Sequence, residues 1–246
     1  MPCQHKANIS GRQANISLPH LYLYKNQPLD LHALAQQFYD GLLKTTWYEF
    51  IAVVTGIASV WYSRKENILV YPVGLINTIL YIYISIDGSL FGEASVNLYY
   101  TIMSIYGWVL WNRKDQQHHP VVVITKSNGR DWLLQVLFFL FFYVTIFAAL
   151  TYLKTAFFGG TIPWADAFAS ATAFTGMWLM AKKKVESWWW WILTNISSIP
   201  LYFIKGYVFT SVYYLVLLAM AFWGLSAWMK KAKQYDSTSL TKSIHI

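Results

Sequence analysis

The sequence predicts an all-α membrane protein of seven transmembrane helices in a 3+1+3 arrangement, built as two parallel three-helix repeats. Three observations carry this. Hydrophobic residues make up 56% of the 246-residue chain and charged residues only 12%, about half the charged share of a soluble domain. Seven apolar stretches each approach the roughly 20 residues needed to cross a hydrocarbon core about 30 Å thick. Those stretches recur at an offset near 118 residues. An ordinary soluble enzyme, a disordered chain and a disulfide scaffold are excluded, since a soluble domain of this length could not bury so much apolar surface and Cys3 is the single cysteine.

The N-terminal 1–27 reads as a polar tail, with Asn8 and Asn15 in glycosylation-type triplets. Residues 28–44 form an amphipathic helix capped by Asp30, with Leu31, Leu34, Ala35, Phe38 and Leu42 on one face. It lies in the membrane interface or folds back onto the bundle. The first repeat covers 45–114, with spans 46–62, 67–86 and 93–112. Trp47-Tyr48 and Trp61-Tyr62 bracket its first span as an aromatic belt would. Residues 115–155 supply a polar loop and a linking span at 131–153, the most uniformly apolar of the seven. The second repeat covers 160–231, with spans 163–181, 187–205 and 207–229, and 232–246 is a cytoplasmic tail.

Matched residues argue the duplication. Asn77 maps onto Asn195 and Arg64-Lys65 onto Lys182-Lys183 at an offset of 118. Tyr99-Tyr100 maps onto Tyr213-Tyr214 at 114, and Trp111 onto Trp228 at 117. Three helices invert the chain and a fourth restores its direction, so the halves insert the same way up, a symmetry that places substrate at their interface near mid-membrane. Thirteen Lys and Arg follow spans 1, 3, 5 and 7, against six on the other side. That bias puts the C-terminus in the cytoplasm and the N-terminus outside. The formal charge of +8 is thereby read as topology, with the lipid bilayer as partner and no nucleic acid.

Candidate site residues are the polar and aromatic groups at depth. Trp188, Trp191 and Asn195 share one face of the sixth span, either as two indoles and an amide lining a cleft or, for the indoles, as part of an interfacial belt. Trp189 and Trp190 face elsewhere and serve as belt or packing. Asn77, with Tyr81 on its face, either lines the cleft or makes a helix–helix hydrogen bond. Asn97 and Tyr100 on the third span, and Tyr214 on the seventh, join the lining or the packing. Pro200 lies deeper in its helix than Pro72 and is the hinge candidate, because proline frees a carbonyl and kinks a helix. No ionisable residue sits at a midplane, where proton and sodium relays usually leave one; uncoupled transport follows. No catalytic residues, metal set or cofactor motif is read.

Seven spans ordered three-one-three, with Trp188-x-x-Trp191-x-x-x-Asn195 on the sixth, resemble the PnuC family of bacterial vitamin transporters across roughly residues 45 to 231. The resemblance implies a SWEET-like fold and facilitated diffusion of nicotinamide riboside across the inner membrane, with Trp188, Trp191 and Asn195 contacting the vitamin. It also implies trapping of the riboside by cytoplasmic phosphorylation. The first half departs from the motif, with Val70 and Val73 where the Trp pair maps. Thiamine, riboflavin or a sugar is the alternative cargo, and a ligand-binding membrane sensor the alternative class. A homo-oligomer is left open.

Overall fold

A computed structural model describes residues 31–87, 91–157 and 162–244. The polar tail 1–27 and the cap Asp30 lie outside the described residues. Eight helices are described: α1 (Leu31–Lys44), α2 (Trp47–Arg64), α3 (Val70–Asp87), α4 (Phe91–Asn112), α5 (Gly129–Phe157), α6 (Pro163–Ala181), α7 (Ser187–Ile204) and α8 (Val208–Ile244). Each expected span falls on one helix. By length and composition, three of the described helices could cross a membrane: Val70–Asp87 of α3, Gly129–Tyr152 of α5 and Val208–Tyr235 of α8. The others carry more small and polar residues, as helices that pack on helices do. At the C-terminal end α8 runs on to Ile244, through a stretch expected as a tail. Lys230 to Gln234 are good helix formers with no breaker among them.

Local chemistry sets the starts of the two matched helices α2 and α6. Thr46 caps α2 in a capping box. The Glu49 backbone N–H donates to Thr46 Oγ1 at 3.4 Å and the Thr46 backbone N–H to Glu49 Oε2 at 2.6 Å. In α6, Pro163 opens the helix and the Ile162 N–H donates to Asp166 Oδ2 at 2.6 Å. Glu49 and Asp166 are thus both helix-start acceptors.

Helices α2, α3 and α4 pack in succession, as do α6, α7 and α8. The two groups meet through α4 on α6 and α2 on α8, which closes a ring of six, while α5 lies on α6 and α1 on α8. Contacts between the groups come in matched pairs. Trp111 Nε1 donates to Ala181 O at 3.1 Å, and Trp228 Nε1 to Ser63 O at 3.0 Å. Tyr99 stacks on Phe174 at 3.9 Å and donates its OH to the Phe174 carbonyl; Tyr213 brings its OH against Gly56. Glu66 and Lys183 follow α2 and α6, both with left-handed backbones (φ 60° and 52°). They bond to each other at 2.9 Å, and Lys231 joins from α8 at 2.9 Å.

The core gathers at the end where these charges lie. Tyr71, Trp111, Met180, Trp188, Leu225 and Trp228 pack there with Ile124 from the α4–α5 loop. That loop was expected to be wholly polar. It instead buries Ile124 completely, because the run Val121 to Ile124 is apolar and its end can reach the bundle.

Candidate functional site

The candidate residues divide by depth. Trp188 is 1% exposed. Its indole stands edge-on to Trp228, ring centroids 5.7 Å apart, and covers Gly224 so closely that a Cβ there would overlap it. In the first half Tyr71 meets Trp111 edge-on at 5.1 Å and covers Gly107 in the same way. The counterpart of Trp188 is therefore Tyr71, at an offset of 117, rather than Val70 at 118. Tyr71 OH and Trp188 Nε1 are buried without a hydrogen-bond partner.

Trp191 sits one turn along α7 and is half-buried. Its Nε1 lies 3.2 Å from where a Cβ on Gly176 would stand, and its ring is 6.1 Å from Tyr100 of α4. The glycine lets the indole lie flat against α6 while its other side faces the opposite half. Asn195 is 3% exposed, and its side chain makes no hydrogen bond among the described residues. Unlike Tyr71 OH and Trp188 Nε1, its amide is not among the fully buried atoms that lack a partner, so it keeps a narrow opening through which a ligand or water can bond it.

Tyrosines continue the site away from the core. Tyr214 stacks on Tyr202 at 5.2 Å, with the planes 19° apart, and lies beside Tyr213 at 5.9 Å. Tyr100 of α4 joins through Trp191, their rings 6.1 Å apart, and Tyr81 lies on α3. All five rings are half-buried. Tyr202 is not among the candidates named from the sequence. The sequence signal for it was its position seven residues after Asn195, on the same side of the helix. Lys205 reaches over Tyr202 at 5.6 Å but is held by Asp166 at 2.6 Å.

The remaining residues have local partners. Asn77 Nδ2 donates to Ala52 O at 2.6 Å, tying α3 to α2. Asn97 Nδ2 donates to the Glu93 carbonyl of its own helix at 2.9 Å. Pro200 is exposed within α7, beside the Ile199 carbonyl, which accepts a bond from Ser211 Oγ at 2.9 Å. Trp189 is 48% exposed. Trp190 is buried against α5, with its Nε1 on Gln135 Oε1 at 3.0 Å and its ring 5.3 Å from Phe139. Gln135 is fully buried and passes the chain on to Ser127 Oγ at 2.7 Å. Trp190→Phe keeps the ring but strands Gln135. We expect it to lower the melting temperature by about 3–10 °C, from a cost of about 1–3 kcal/mol, and to leave ligand affinity alone. A thermal melt in detergent beside a binding titration checks this.

A cluster of aromatic rings with one unbonded amide, drawn from α4, α7 and α8, has the chemistry to meet a flat polar molecule. Trp and Tyr faces stack on planar rings and attract cations, while phenols and an amide offer donors and acceptors. The family model of the nicotinamide mononucleotide transporters matches residues 46–230. This chain belongs to that family. Among its relatives, the nicotinamide riboside transporter PnuC of Escherichia coli is 23% identical over 216 residues, covering 80% of this chain and 90% of the relative. PnuC of Neisseria mucosa is 25% identical over 203 residues, covering 78% and 75%. The riboflavin/roseoflavin transporter RibM of Streptomyces davaonensis is 22% identical over 188 residues, covering 76% and 87%. The crystal structure of the vitamin B3 transporter PnuC superposes with a TM-score of 0.64 at 24% identity, covering 87% of this chain and 96% of the other. A family of membrane transporters accounts for the composition, the apolar helices and the multi-pass reading together.

Proposed function

We propose that this member of the family carries nicotinamide riboside into the cell by facilitated diffusion, with alternating access between two parallel three-helix halves joined by α5. The observation that carries the reading is Asn195, 3% exposed and without a hydrogen bond among the described residues, one turn along α7 from the half-buried Trp191 that meets Tyr100 of α4. Nicotinamide riboside has a planar pyridinium for the aromatic faces, and an amide and ribose hydroxyls for the polar groups. The family's description names the mononucleotide. A phosphate calls for a free Arg or Lys, and Lys205, the cation over Tyr202, is already held by Asp166. That favours the riboside. Riboflavin is the second reading, since RibM is named for it and an isoalloxazine would also stack.

The paired contacts Trp111–Ala181 and Trp228–Ser63 support the parallel repeat. The lysine and arginine bias supports a cytoplasmic C-terminus in a bacterial inner membrane. Within this scheme Trp191 and Asn195 contact the vitamin from one half and Tyr100 from the other, Trp188 backs them from the closed end, and cytoplasmic phosphorylation traps the product.

Uptake of labelled nicotinamide riboside, riboflavin and thiamine into liposomes of the purified protein tests the reading. We expect saturable riboside uptake that stops at equal concentrations inside and out, and that is unchanged when proton and sodium gradients are collapsed. Uphill accumulation or gradient dependence contradicts the uncoupled mechanism, and preference for riboflavin moves the assignment to the second reading. Pro200 is the proposed hinge of α7. We expect Pro200→Ala, which restores a backbone N–H to the helix, to slow uptake severalfold with riboside affinity retained; unchanged rates remove the hinge.

A further inference from the structure

We propose that the α4–α5 loop, residues 113–128, is the inner gate of this carrier, with Ile124 as its plug and Trp111 and Trp228 as the latches that hold it shut. The proposal rests on the transport reading above and adds the part of the molecule that must move. A carrier needs one end closed while the other admits ligand. Accessibility is graded in that way here. Tyr81, Tyr100, Trp191 and Tyr214 are half-buried, whereas Tyr71, Trp111, Ile124, Trp188 and Trp228 lie between 0 and 8% exposed at the other end.

The loop reaches this closed end with few attachments. A tight turn brings the Val121 N–H back onto the Arg113 carbonyl at 3.1 Å. The chain then runs along the segment after α6. The Thr125 N–H donates to Lys183 O at 3.2 Å and the Val185 N–H to Thr125 O at 3.0 Å. Ser127 Oγ donates to Glu186 Oε2 at 2.7 Å. Between these bonds only Ile124 is fully buried, set among the aromatic rings, while Val121 and Lys126 are exposed. Two backbone bonds, the Ser127 bonds to Glu186 and Gln135, and the packing of Ile124 and Val122 can be released together without unfolding a helix.

The latches and the unpartnered groups balance. Each indole N–H bonds a helix-end carbonyl of the opposite half and favours closure. Tyr71 OH and Trp188 Nε1, buried without partners beside those same rings, favour opening, because water can reach them only when the end parts. Opposed terms of similar size keep two states within reach of each other, as alternating access requires.

Thr125 and Lys184 are partners in the parallel bridge, so cysteines at both can meet the separation a disulfide needs. Thr125→Cys with Lys184→Cys, in a Cys3→Ser background, is oxidised with copper–phenanthroline and reconstituted in liposomes. We expect nicotinamide riboside uptake to fall below about one-tenth of the reduced protein's, riboside binding to persist, and reductant to restore uptake. A fully bridged protein that transports at the reduced rate overturns the gate, as does failure of the cysteines to bridge. If the reduced protein takes up no riboside, the transport reading fails instead. The gate is then judged by thiol labelling of Ile124→Cys against the exposed Gln117→Cys. Labelling at 124 is expected to be at least about tenfold slower, and to rise about fivefold for each latch bond removed by Trp111→Phe or Trp228→Phe. Equal labelling at 124 and 117, or no response to the latch variants, overturns it.

Discussion

Trp191→Ala is expected to raise the nicotinamide riboside concentration for half-maximal uptake about 10- to 100-fold, with the protein still folded. Stacking of a planar ring on an aromatic side chain contributes about 1–3 kcal/mol, and a pyridinium adds cation–π attraction. Trp191 is placed to supply both, since Gly176 lets its indole lie back against α6 and the half-buried ring faces Tyr100 across the interface. Asn195 sharpens the test. The residue is 3% exposed and its amide makes no hydrogen bond among the described residues, so the fold does not use it as a donor or acceptor. Asn195→Leu, of similar volume, is expected to leave the melting temperature unchanged or higher and to lower affinity about tenfold or more. Loss of stability and affinity together would mark Asn195 as structural. The control is Trp189→Ala, on the exposed side of the same helix; an affinity loss there equal to that of Trp191→Ala would return the indoles to the membrane belt. Binding and melting measured on each purified variant separate these outcomes.

Helix positions were legible because apolar runs, basic ends and aromatic brackets act locally. The spans at 163–181 and 187–205 agree with α6 and α7 to within a residue. The matched cross-contacts of Trp111 and Trp228 were foreshadowed by residues that keep their type at an offset of 117. What was hidden is what depends on partners distant in sequence. Asn77 and Asn195 lie 118 residues apart, yet Asn77 meets the Ala52 carbonyl and Asn195 meets no partner among the described residues, and no pattern within either helix distinguishes them. Tyr71 stands in for Trp188 although the aligned residue is Val70, because an aromatic ring needs a glycine opposite it, and Gly107 and Gly224 provide one in each half. Ile124 was lost in a segment read as a polar loop. Its role comes from the strand-like pairing with residues 183–185, a contact some 60 residues away that composition does not encode.

Glu66→Ala is expected to be the most destabilising single change outside the aromatic core, lowering stability by about 3–5 kcal/mol. Breaking a buried ion pair leaves the other charge without compensation. Lys183 is the charge left behind, with its side chain 8% exposed, Glu66 2.9 Å away and the Trp111 ring 4.5 Å away. Cation–π attraction to that ring cannot replace the carboxylate, being about 0.5–2 kcal/mol. Lys231 fares better, since its side chain is 36% exposed and can turn to water. At 2–4 °C per kcal/mol for a chain of this size, the melting temperature should fall by about 6–20 °C. The pair is not needed for stability as such. Glu66→Ala with Lys183→Met removes both charges, and Met can keep its stem on Trp111; the double variant should recover most of the loss. A double variant as unstable as Glu66→Ala would show that the loss came from Lys231 or from the left-handed turn at position 66 rather than from the stranded ammonium. The matched φ of residues 66 and 183 makes the second cause testable by Glu66→Gly, which relieves the backbone and still strands Lys183. On the ion-pair account Glu66→Gly is nearly as unstable as Glu66→Ala; on the backbone account it is not.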